Sequence, residues 1–112
     1  MQGWHLIAQA TGIEAKPGAL GLFLAQAVEV TGLTAISPVF VDDQRGVGFV
    51  IIAESHVSIH LKGDRAWADV FSCRRFEAEP ILRILQKLFA GEWVIEILRR
   101  DVTPPRFWRG GR

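Results

Sequence analysis

The densest set of reactive side chains in this sequence lies between Ala53 and Cys73. It reads Ala53-Glu54-Ser55-His56-Val57-Ser58-Ile59-His60, then a polar turn, then Ala68-Asp69-Val70-Phe71-Ser72-Cys73. Hydroxyls, imidazoles, a carboxylate and the chain's only cysteine fall close together. Such a set can supply a nucleophile, a general acid or base near neutral pH, and a thiol proton donor. Simpler readings also fit. Alternating polar residues are what the solvated face of a half-buried strand shows, and a solitary cysteine is commonly a small buried apolar residue. His56 and His60, four apart on a strand, would share a face and could bind a metal, but no third ligand is supplied. Ser55, His60 and Asp69 could form a hydrolase triad, although no Gly-x-Ser-x-Gly elbow surrounds the serine.

Elements that could hold these residues are legible on both sides. Residues 3 to 10 alternate Trp4, Leu6 and Ala8 with His5, Ile7 and Gln9, which predicts a first strand. After Pro17-Gly18, the apolar residues Leu20, Phe23, Leu24 and Ala27 recur at helical spacing over 18 to 31, with Gly32 as the stop. Leu33 to Val41 and Val47 to Ala53 read as strands around the polar turn Asp42 to Gly46. His56 to Leu61 and Ala66 to Cys73 read as a second hairpin across Lys62-Gly63-Asp64-Arg65. A helix opens near Pro80 and ends at Gly91, and Glu92 to Leu98 forms a last strand. The order predicts an α+β fold: a two-layer α/β sandwich, with two helices on one face of a mainly antiparallel sheet.

Composition narrows the function classes. A chain of 112 residues, 49% hydrophobic and 22% charged, is expected to form one buried core and a single domain. Thirteen basic against twelve acidic residues give no overall field for nucleic acid or anionic lipid. The tail is the local exception: Arg106, Phe107, Trp108, Arg109 and Arg112 make a basic-aromatic stretch that could touch RNA, or else a docked or frayed terminus. One cysteine allows no intrachain disulfide, which suits a reducing cytoplasm. No stretch approaches the ~20 apolar residues that a membrane helix requires.

The order Glu54-Ser55-His56, Ile59-His60 and Asp69-Val70-Phe71-Ser72-Cys73 resembles the prokaryotic S-adenosylmethionine decarboxylase proenzyme family over about twenty positions, and more weakly over the whole chain. The resemblance implies self-cleavage between Glu54 and Ser55 into residues 1–54 and 55–112. Ser55 would become a covalent pyruvoyl group, with His60 as the processing acid/base. In turnover the ketone would form a Schiff base with an amino-acid-type substrate, and Cys73 would be the proton donor. Neither a metal nor pyridoxal phosphate is implied. A homodimer of cleaved protomers with active sites near the interface is expected, and an apolar sheet face uncovered by helices would suit it.

The sequence departs from that family in two places. Where members carry Thr, an aromatic residue, Pro and Glu after Ile-His, this chain has the shorter Leu61-Lys62-Gly63-Asp64-Arg65. The family's serine upstream of the cleavage site has no counterpart in Val47-Gly48-Phe49. The family's default substrate is S-adenosylmethionine, but the lost adenosine motif makes L-arginine or L-ornithine the alternative. An unprocessed binding or regulatory relative is the remoter one. Trp4, Phe40 and Trp67 are candidates to stack on a base, and Asp42, Asp43 and Asp64 to pair with a distal cation of the substrate.

Overall fold

The structure is a computed structural model that describes residues 2–53 and 55–101. Glu54 and residues 102–112, including the basic-aromatic tail, lie outside the described residues. The elements are β1 Gln2–Ala15, α1 Ala19–Thr31, β2 Phe40–Asp42, β3 Val47–Ile52, β4 Ser55–Lys62, β5 Arg65–Ser72, α2 Ala78–Leu88 and β6 Phe89–Asp101. The strands form one antiparallel sheet in the order β2-β3-β4-β5-β1-β6.

Both helices cover the same face, giving the expected α+β sandwich. In α1 the buried residues Leu20, Phe23, Leu24 and Ala27 make one stripe; in α2 Ile81, Ile84, Leu85 and Leu88 do the same. They meet the inward residues of the strands, such as Leu6, Val50, Val57, Ile59 and Val70, all fully buried. Each large side chain so removed from water contributes about 1.5–3 kcal/mol. Phe23 of α1 meets Phe89 edge to face at 6.4 Å, which ties the first helix to the start of the last strand.

Several boundaries differ from the sequence expectation. The strand expected over Leu33 to Val41 is only Phe40–Asp42, with an isolated bridge between Ala35 and Ile52. Pro38 has no N–H to donate at this edge, and the hydroxyl of Ser37 accepts the Ile51 N–H where a backbone carbonyl would otherwise stand. The second helix ends at Leu88 rather than Gly91, and the strand expected from Glu92 begins at Phe89. That strand starts early because β1 continues to Ala15 to pair with it. A register shift between Thr11 and Glu14 makes this possible, and Gly12 there takes φ 64°, a left-handed conformation that suits glycine at a bulge.

Candidate active site

Ser55 opens β4 and points to the helix-covered face, where it is 7% exposed. Its register partner is Ile52, so only residues 53 and 54 join β3 to β4. Cys73 lies just beyond the end of β5, the neighbouring strand. The backbone N–H of Cys73 donates to Ser55 Oγ at 3.2 Å, and the Cys73 Sγ is 4.0 Å from the same oxygen. Ser72 shapes this approach. Its hydroxyl donates to the carbonyl of Arg74 at 2.6 Å and accepts the Arg74 N–H at 2.9 Å, folding the chain tightly as it leaves β5.

Chemically, this geometry presents a buried hydroxyl with a fixed amide donor and a thiol beside it. The donor holds Oγ in one position and stabilises negative charge that develops there. On the same face and at the same end of the sheet, Trp4 pairs with Ser72, and Trp4, Arg75, Phe76, Glu77 and Arg99 line a hollow of about 290 Å³. Trp4 stands two strands from Ser55, roughly 10 Å.

His60 is elsewhere. It is exposed on the opposite, open face, paired with Val47 and Trp67. Five steps along an extended strand place it roughly 16 Å from Ser55, so within one chain the structure does not bring the two together. The proposed substrate-binding residues are also remote from Ser55. Phe40 stacks on Phe49 at 4.8 Å on the open face near the sheet edge. Asp43 and Asp64 are exposed in the β2–β3 and β4–β5 turns. Asp42, the last residue of β2, is bound by Arg45, whose hydrogen bonds hold its carboxyl below the ordinary value. Trp67 is on the open face at the far end of β5, beside a second hollow of about 280 Å³ that Gln9, Arg65 and Glu92 also line. Glu54 lies outside the described residues.

Sequence reading did not single out His5. It donates from Nε2 to Asp69 Oδ1 at 2.5 Å, and His56 Nε2 stands 3.5 Å from the same oxygen. Burial raises the proton affinity of the Asp69 carboxyl, but the hydrogen bonds and charge of the two imidazoles outweigh it and hold the group below its ordinary value. The available signal was strand parity: His5, His56 and Asp69 all occupy outward positions of strands that pair as β4-β5-β1. Among the described residues, no group of three or more His, Cys, Asp or Glu is arranged to hold a metal ion. No described helix is long and apolar enough to cross a membrane.

Residues 5–101, which span the described site, match the family model for S-adenosylmethionine decarboxylase. The chain belongs to this family. The S-adenosylmethionine decarboxylase fold is also seen in the crystal structure of the adenosylmethionine decarboxylase from Aquifex aeolicus VF5. That structure shares 23% identity and a TM-score of 0.67, with 91% of this chain and 92% of that chain covered. No curated protein sequence matches the chain.

Proposed function

We propose that this S-adenosylmethionine decarboxylase family member cleaves itself between Glu54 and Ser55, and that residue 55 of the second fragment becomes a pyruvoyl group for decarboxylation of S-adenosylmethionine. The observation that carries the reading is the seating of Ser55: a buried hydroxyl at the first position of β4, fixed by the Cys73 N–H and flanked by the Cys73 thiol. A hydroxyl held there can attack the preceding carbonyl, and the amide donor stabilises the oxygen as charge shifts on and off it. Once formed, the pyruvoyl group supplies an electrophilic carbonyl and an electron sink for loss of carbon dioxide. Cys73 then stands beside residue 55 as the acid that returns a proton to the substrate carbon. The hollow bearing Trp4, Arg75 and Phe76 supports entry of an extended amino-acid-type substrate from the helix-covered side.

Arginine or ornithine is the second reading. It is favoured by the β4–β5 turn, which lies at the opposite end of β4 from Ser55 and would meet the substrate only from a second copy, and where Gly63 and Asp64 alone connect the paired residues Lys62 and Arg65. That tip carries no aromatic residue to stack on an adenine.

The open face exposes Ile7, Phe49, Ile51, Trp67 and Val94, and it supports assembly of two cleaved protomers. The processing role of His60 is then assigned to the His60 of a second copy, reaching Ser55 around the rim of the sheet.

Intact mass after incubation, with hydrazine trapping of the ketone, tests the cleavage. Release of labelled carbon dioxide from S-adenosylmethionine, arginine and ornithine in parallel tests the substrate. A lasting 12.5 kDa species with no trapped ketone would sink the enzyme reading in favour of a binding or regulatory protein.

A further inference from the structure

Maturation as proposed above removes the contacts that seat residue 55. When Ser55 Oγ attacks the Glu54 carbonyl carbon, the C–N bond breaks and an ester forms. Loss of the Ser55 α-proton then breaks the Cβ–Oγ bond, and Oγ departs as part of the new carboxylate on residue 54. Water hydrolyses the resulting enamine, through its imine tautomer, to a ketone, and the former backbone nitrogen of residue 55 leaves as ammonia. The Oγ that accepts the Cys73 N–H is therefore gone, and so is the residue's own N–H. Its covalent tie to β3 is gone as well. The residue that must hold a substrate then stands at a free chain end, where strands fray.

We infer that the His56–Asp69–His5 bridge is the clamp that holds this new chain end in the sheet, a positioning device that rests on the cleavage reading. His56 is the first residue after the reactive one. It pairs with Phe71 of β5, and Phe71 pairs in turn with His5 of β1. Asp69, two residues before Phe71, reaches diagonally to both imidazoles with a single carboxylate oxygen. Phe71 fills the space between them, parallel to the His56 ring at 6.1 Å and edge-on to the His5 ring at 5.8 Å. Gly3 completes the seat, because a Cβ there would run into the Phe71 ring. Three strands are thereby joined at the level of residue 56, on the face opposite the reactive position. None of these contacts uses an atom that cleavage removes.

The test is hydrogen exchange of the peptide starting at residue 55 or 56, read in cut wild-type chain and in the uncut Ser55→Ala chain, each with and without Asp69→Asn. In the Ser55→Ala background the Asp69→Asn substitution should change exchange little, because the unbroken peptide link to β3 still holds the end of the strand. In the cut chain it should speed exchange about tenfold, the scale set by losing charge-assisted hydrogen bonds at a local opening. His5→Ala, which leaves His56 paired with Asp69, should give a smaller acceleration and guards against misfolding of the Asp69 variant. Equal acceleration in cut and uncut chains, or none in either, overturns the clamp while leaving the cleavage reading intact. A wild-type chain that remains whole by intact mass overturns the cleavage reading itself, and the clamp with it.

Discussion

Ser55 and His60 stand on the same strand, and the odd number of steps between them turns Ser55 into the helix-covered core and His60 onto the open face. His60→Ala is expected to leave the chain uncut. Because the two residues do not meet within one chain, mixing His60→Ala with Ser55→Ala protein should restore cleavage of the His60→Ala chain, whose Ser55 is intact. Intact mass of the mixture reads this directly, and no cleavage in the mixture would rule out action between copies. Ile7→Asp, on the open face, should yield monomers by analytical ultracentrifugation and slow processing.

Cys73→Ala separates the two roles at that position. The hydrogen bond to Ser55 Oγ comes from the Cys73 backbone, so the substitution leaves the seat of Ser55 intact. Cleavage should proceed near the wild-type rate. Decarboxylation should fall about a hundredfold or more, the usual scale for loss of a positioned proton donor. Loss of both activities together would mean that the thiol itself shapes the serine.

Asp69 makes a pH-dependent contribution to stability. Its carboxyl is held below the ordinary value in the folded chain, so its contribution is complete above the usual carboxylate range and is lost as pH falls through the folded-state value. At neutral pH, Asp69→Asn should have a lower urea midpoint than wild type. The gap should close on acidification below the carboxylate range. A gap that is constant with pH would contradict this assignment.

Phe23→Ala should be among the costliest of the simple core truncations. The ring is fully buried and meets Phe89 across the two layers. A loss of about 3–5 kcal/mol is expected for emptying such a site, measured as the shift in urea unfolding free energy.

Much of this arrangement was legible in the sequence, and its failures have physical causes. The second hairpin and α1 were visible because alternation and helical spacing are strong signals there, and the structure places them within one or two residues of expectation. The span Leu33 to Val41 is apolar enough for a strand, yet Ser37-Pro38 diverts its hydrogen bonding, which apolar content does not reveal. The extension of β1 depends on Gly12 at a bulge facing a strand some eighty residues away, a pairing no local pattern can announce. At the site, the parity of 55 and 60 already implied opposite faces. His5 escaped notice because its partner Asp69 is brought near only when β1 inserts beside β5.

The strand order β2-β3-β4-β5-β1-β6 has a final consequence for a chain cut after residue 54. The first fragment would own β1, β2 and β3, and the second β4, β5 and β6. β1 lies between β5 and β6, so the first fragment is threaded through the second like an interlocked finger. Each fragment alone would lack a central neighbour for a long strand and half of the shared hydrophobic interior. Scission would therefore turn one polypeptide into two without creating a separable pair: the products remain a single cooperative body held by three inter-fragment seams, β3 to β4, β5 to β1 and β1 to β6.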